Sequence, residues 1–219
     1  MVTLGAINDV TRIKKVLVLA PHTDDGELGC GASIARFVSE GAEVYYAAFS
    51  TCEQSIPQGL PKDILEQEMR EAIQVLGISQ EHLFVYGYPV RRLSYYRQEV
   101  LEDLTVLRNR LQPDLVLLPS SADLHQDHQV LAAEGMRAFR KATVLGYEEP
   151  WNHITFSTQA FIRVEEEHLE AKLRALKCYQ SQTNRRYFSS DFIRSLAIVR
   201  GVQAHSKYAE AFEVIKIVL

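Results

Sequence analysis

"KKVLVLAPHTDDGELGCGAS", Lys14–Ser33, is the stretch on which the fold turns. Its apolar run, Val16–Ala20, is short and has no polar interruption. That is the pattern of a parallel strand buried on both faces. The run passes directly into His22, Asp24 and Asp25. Carboxylates brought to a buried strand end are costly unless something pairs with them. A divalent metal would serve, and further ligands must then come from elsewhere in the chain.

Outward from this stretch, strands and helices alternate. "ASIARFVSEG" has helical spacing and stops at Gly41; "EVYYAAFS", Glu43–Ser50, is a second strand. "KDILEQEMREAIQVLG" places Ile64, Leu65, Met69, Ala72, Ile73 and Leu76 on one helical face. "HLFVYG" reads as a strand, "QEVLEDLTVLRNRL" as a helix ended before Pro113, and "DLVLLP" as a fourth strand. "DHQVLAAEGMRAFRK" is a helix and "TVLGY", Thr143–Tyr147, a fifth strand. The tail reads as strand "AFIRV", helices "EEEHLEAKLRALKCY" and "SDFIRSLAIVRG", and a last strand "AFEVIKIVL". Repeated βαβ units predict a parallel sheet with helices on both faces. Two connections are long, Thr51–Pro61 and Gly146–Gln159. Both follow strands and should emerge at the carboxyl edge of the sheet, where open α/β sheets bind ligands.

The 219 residues suit one domain, 1–219, better than two. A net charge of −4 provides no basic footprint, so no nucleic-acid partner is expected. No apolar run is long enough to span a bilayer, and the opening "MVTLGAINDVTRIKK" lacks the apolar core of a signal peptide. The three cysteines, Cys30, Cys52 and Cys178, are odd in number and widely spaced. They argue against a disulfide framework and for a reducing, cytoplasmic setting.

The missing ligands lie after the fourth strand, in "LVLLPSSADLHQDHQVL". His125, Asp127 and His128 stand where the chain leaves that strand for a helix, the position the first cluster holds after strand one. The two clusters therefore meet on one rim. Three histidines and three aspartates are the donor types of a catalytic zinc, which takes about three protein ligands. His22, Asp25 and His128 are assigned to the metal, Zn2+ or another divalent ion. Asp24 is then placed as general base, and His125 to hold the developing oxyanion or protonate the leaving nitrogen. Asp127 is placed to orient one of the histidines.

"PHTDDGELGCGASIARF" and "HQDH" resemble the two signatures of the PIG-L/LmbE-like zinc-dependent deacetylases, and "CYQSQ" and the tail "RG…YAEAF" resemble further motifs of that family. The resemblance implies a Rossmann-like three-layer α/β sandwich. It also implies removal of an N-acetyl group from an amino sugar or its conjugate, of the N-acetylglucosamine type, by attack of zinc-bound hydroxide. By position it gives the same roles to His22, Asp24, Asp25, His125 and His128, and it leaves room for a homo-oligomer. Two departures are Thr23, where the family usually has proline, and Gly26, where it usually has an acid. The loop "STCEQSIPQG" lacks the usual glycine–acid pair, which leaves the particular substrate open.

Competing readings are plain ones. An Asp pair at a helix start is ordinarily a cap; His22 and the second cluster turn it toward a ligand set. "GCGAS" falls too far past the strand for a dinucleotide loop, and its glycines suit close helix packing. Cys30 reads as a small buried residue. Glu53, Trp151, Asn152 and His153 are either solvated loop residues or the lining of a sugar site, with Trp151 stacking on the sugar. Arg91–Arg92 and Arg185–Arg186 read as surface pairs, with anion binding as the alternative. His82, His168 and His205 read as surface residues, while Tyr208 and Glu210 either pack or close the pocket. Two further functions stay open: an amidase for a non-sugar amide, and a non-catalytic metal- or ligand-binding domain.

Overall fold

The structure, a computed structural model, describes residues 13–56 and 58–218. The opening stretch before Ile13, Pro57 in the first long connection and Leu219 at the end of the expected last strand lie outside the described residues. Seven strands form one sheet: β1 (Lys15–Ala20), β2 (Glu43–Ala48), β3 (Leu83–Val85), β4 (Leu115–Pro119), β5 (Thr143–Tyr147), β6 (Ala160–Val164) and β7 (Tyr208–Lys216). Their order is β3-β2-β1-β4-β5-β7-β6. The first five pair in parallel, and β7 runs antiparallel between β5 and β6. The helices are α1 (Asp25–Ser39), α2 (Ile64–Val75), α3 (Arg97–Leu111), α4 (Gln126–Ala138), α5 (Glu166–Leu176) and α6 (Ser190–Gln203).

The core explains the unbroken apolar reading of β1. Val16, Val18 and Ala20 join a cluster with Ile34 of α1, Ile73 of α2 and Ala175 of α5, whereas Leu17 and Leu19 join Leu104 of α3 and Leu131 of α4. Alternate residues thus meet helices on opposite faces, giving three layers. A third cluster joins Leu28, Leu169, Leu173, Ile193 and Tyr208, seating α6 against α5 and β7.

Strand order reverses between β1 and β4: the chain goes from β1 outward to β2 and β3, then returns to β4 and leaves the other way. Ligand sites in open α/β sheets form at such a reversal, outside the carboxyl strand ends. The two polar clusters leave β1 and β4 there, side by side.

Two elements differ from the sequence reading. The last strand starts at Tyr208 rather than Ala211, because β6 extends the ladder as far as Val164↔Tyr208. The first helix starts at Asp25, not Ala32, and is broken at Cys30 (φ −145°, ψ 24°). The break leaves backbone groups unpaired, and distant side chains take them up. Glu210 of β7 accepts from the Ala32 and Ser33 amides at 3.2 and 2.7 Å, and Lys172 of α5 donates to the Leu28 carbonyl at 2.7 Å. Lys172 and Glu210 also pair with each other at 2.6 Å, both buried. Beside the break, Gly29 leaves no room for a side chain and Gly31 leaves little. A Cβ on Gly29 would stand 2.3 Å from the Tyr147 ring, and one on Gly31 would stand 3.0 Å from Lys172.

Candidate metal centre and catalytic cavity

His22 and Asp25 leave the end of β1, and His128 lies in the first turn of α4. Nδ1 of His22 stands 3.0 Å from Oδ2 of Asp25, Nε2 of His128 stands 3.3 Å from the same oxygen, and the two ring nitrogens are 3.2 Å apart. Ligand bonds of about 2.1 Å in a tetrahedral shell would separate donor atoms by about 3.4 Å. Three buried donors, two imidazole and one carboxylate, at near-equal spacing fit a divalent cation.

Supporting carboxylates hold both rings. Nε2 of His22 meets Oδ2 of Asp127 at 3.0 Å, leaving Nδ1 for the triangle. Nδ1 of His128 meets Oδ2 of Asp123 at 2.8 Å, leaving Nε2. Such carboxylate–histidine pairs fix tautomer and ring orientation at metal sites. Asp127 is fully buried and also accepts from the Leu93 amide at 3.1 Å and the Arg91 amide at 2.5 Å, tying the loop after β3 to the centre. Burial opposes charge on His22 and His128, yet Asp25 draws both imidazoles well above their ordinary range. Burial likewise opposes ionisation of Asp25, but His128 and His22 hold its carboxyl well below the usual range. The cluster is thus built around positive charge, and metal binding would exchange protons for a cation.

Asp24 sits at the N-cap position of α1 but makes no cap hydrogen bond. The capping explanation therefore fails for it. Burial and the adjacent Asp25 raise its pKa to about 6. His125 lies outside α4 in extended backbone, and its Nδ1 accepts from the Asp127 amide at 3.2 Å. That bond leaves the proton on Nε2. Burial, then His22 and His128, lower its pKa to about 4, so it is a neutral donor near pH 7. Its ring is 4.7 Å from that of His22 and 4.8 Å from that of His128, centre to centre.

A cavity of about 330 Å³ opens over these groups. Trp151 and Asn152 line it, with Trp151 stacked on Tyr187 at 4.2 Å. Glu53 and His153 do not line it. Cys52 takes a left-handed conformation (φ 56°), and the short turn after it leaves Glu53 exposed while Cys52 and Ser55 face the cavity. His153 packs instead on Phe156, with ring centroids 5.2 Å apart. The arginine pairs split: Arg91 and Arg185 line the cavity, Arg92 and Arg186 do not. His168 is not a surface residue; it is buried and completes a capping box with Glu165 at the start of α5.

Sequence reasoning missed Asp123, Glu149 and Glu27. Asp123 was visible only as one polar residue in "SSADLHQDH". Glu149 follows β5, is buried and lines the cavity; burial and Asp25 push its carboxyl well above the usual range. Glu27 is fully buried, and burial pushes its pKa to about 8. The hydroxyls of Tyr46 and Tyr179 lie 2.5 and 2.7 Å from its carboxyl oxygens, and both also reach the Thr23 carbonyl. This network steadies the turn that carries Asp24 and gives the "CYQSQ" motif a purpose. Gln182 of the same motif lines the cavity.

Residues 17–139 match the PIG-L family, described as GlcNAc-PI de-N-acetylase. The chain is 32% identical over 183 residues to the uncharacterized deacetylase YaiS of Escherichia coli K12, covering 80% of this chain and 95% of that protein. The chain belongs to the PIG-L family. It is also 26% identical over 223 residues to the diacetylchitobiose deacetylase of Thermococcus kodakarensis, covering 90% of this chain and 82% of the relative. Among solved structures, GalB, the 4-carboxy-2-hydroxymuconate hydratase of Pseudomonas putida KT2440, superposes with a TM-score of 0.78 at 19% identity, covering 94% of this chain and 98% of GalB. That likeness shows the shared fold alone. A fold that carries a hydratase as well as deacetylases leaves the reaction to be argued from the site. Among the described residues, no helix is long and apolar enough to cross a membrane.

Proposed function

We propose that this PIG-L family member is a metal-dependent N-deacetylase acting on an N-acetylated amino sugar or its conjugate. The observation that carries the reading is the donor triangle of His22, Asp25 and His128 with a non-capping carboxylate, Asp24, beside it. The deacetylase names of its relatives support the acetyl group, and the diacetylchitobiose deacetylase supports the sugar.

His22, Asp25 and His128 would hold the cation, and their mixed imidazole and carboxylate set suits zinc. A divalent ion held there supplies Lewis acidity, lowering the pKa of water and polarising the acetyl carbonyl. Asp24 takes a proton from the attacking water as its oxygen bonds to the carbonyl carbon. His125 donates its Nε2 proton as a hydrogen bond to the oxygen on which negative charge gathers. The C–N bond then breaks, Asp24 returns the proton to the departing nitrogen, and acetate and a free amine leave. Asp127 and Asp123 hold the two ligand rings throughout.

The test is an acetate-release assay over N-acetylglucosamine, N,N'-diacetylchitobiose, N-acetylated glycosides and nucleotide sugars, with and without a chelator. Chelator-sensitive acetate release from at least one sugar is the expected result. Release only from non-sugar amides would replace the substrate class, and undiminished release from metal-free protein would end the metal mechanism.

A further inference from the structure

The strand β5 is followed by two adjacent acids that meet different surroundings. Glu148 is bound by the Arg200 guanidinium of α6. Glu149 has no guanidinium or ammonium partner among the described residues; the nearest cationic group is the His128 ring, whose Nδ1 stands 3.8 Å from its Oε2. It is 1% exposed, and its Oε2 accepts from the Asn152 side-chain amide at 3.0 Å. Its Oε1 is buried and has no hydrogen-bond partner among the described residues. Buried carboxylate oxygens are nearly always satisfied, so an open one calls for an explanation.

Position supplies it. Glu149 lines the catalytic cavity, and one of its carboxylate oxygens lies within 4.8 Å of donor atoms of Asp25 and His128. A group bound at Oε1 would therefore lie beside the reacting centre. Asp24 and Asp25 line the same space and disfavour an anion there. What fits is a neutral or positively charged hydrogen-bond donor.

We propose that Oε1 of Glu149 accepts a hydrogen bond from the substrate itself, from the N–H of the scissile amide or from an O–H within three bonds of its nitrogen. Resting on the deacetylase reading above, this makes Glu149 a specificity-determining residue. An amino sugar offers two such donors, the amide N–H and the ring hydroxyl next to the acetamido carbon. A site built to accept a hydrogen bond rejects an analogue lacking the donor, because its own polar group is then left unpaired.

The experiment compares wild type, Glu149→Gln and Glu149→Ala on the best acetylated sugar of the panel, on its analogue deoxygenated beside the acetamido carbon, and on its N-methyl amide. Metal content and melting temperature are measured on each protein. The expected result is a fall in kcat/KM of about tenfold to hundredfold in both variants, the scale of leaving a buried hydrogen-bonding group unsatisfied, with metal content unchanged. One analogue should lose activity with wild type and lose little more in the variants. Coupling to the deoxy analogue identifies the hydroxyl as the donor, and coupling to the N-methyl amide identifies the amide N–H. Loss of metal in either variant would make Glu149 a ligand and overturn the proposal. So would equal analogue penalties in all three proteins. Absence of acetate release by wild type would remove the deacetylase reading and this proposal together, whereas normal wild-type turnover with uncoupled variants overturns this proposal alone.

Discussion

The turn after β1 and the turn after β4 deliver the same donor types to one point, yet they differ in how far their support reaches. After β4 the two histidines are oriented locally, although Asp127 also accepts from the distant Arg91 and Leu93 amides. His125 caps its own helix, and Asp123 orients His128 from five residues away. After β1 the acids do not cap, the helix breaks at Cys30, and the support comes from α5, β7 and Tyr46 of β2. A locally held turn should tolerate changes elsewhere in the fold. A remotely held one should fail when distant residues change.

That contrast can be broken or sharpened by substitution. The largest effect belongs to Lys172→Met or Glu210→Ala. Each leaves one buried charge unpaired, a loss of about 3–5 kcal/mol, and should lower the urea midpoint with the slope unchanged. A midpoint within experimental error of wild type would show that the break in α1 needs no remote support. Asp24→Ala should come next. It should keep the metal and reduce turnover by about a hundredfold or more, read by acetate release beside elemental analysis. Metal loss in that variant would exchange the roles of Asp24 and Asp25. Asp123→Asn and Asp127→Asn should each weaken metal binding by about 10- to 100-fold, as measured by competition with a chromophoric chelator. Unchanged affinity would reduce those carboxylates to packing. Glu53→Ala, on the exposed turn, should leave kcat/KM within about twofold; a larger fall would bring that loop into the site.

The same contrast explains how much was legible in the sequence. Donors set by strand ends and short spacing, such as His22, Asp25 and His128, follow from an apolar run meeting polar residues. The reversal of strand order that brings them together follows from βαβ alternation. Asp123 and Glu149 sit in polar stretches where any acid looks solvated, and only burial distinguishes them. The helix break was hidden because its repair depends on residues far away: Lys172 and Glu210 lie 144 and 178 positions from the backbone groups they satisfy at Leu28 and Ala32. Trp151 lines the cavity, but its stacking partner Tyr187 is on a segment whose path no local pattern gives. Glu53 stands exposed because the chain turns at a left-handed Cys52, a feature that no local sequence pattern announces.

The central claim is that a cation is held by the triangle of His22, Asp25 and His128, with His125 beside it as a donor to substrate. The most direct test is a zinc titration of His128→Ala and His125→Ala beside wild type, with bound metal measured after dialysis. Wild type and His125→Ala should each keep about one ion per chain, while His128→Ala keeps almost none. If His125→Ala loses metal as completely as His128→Ala, then His125 is itself a ligand and the assignment of the triangle is wrong.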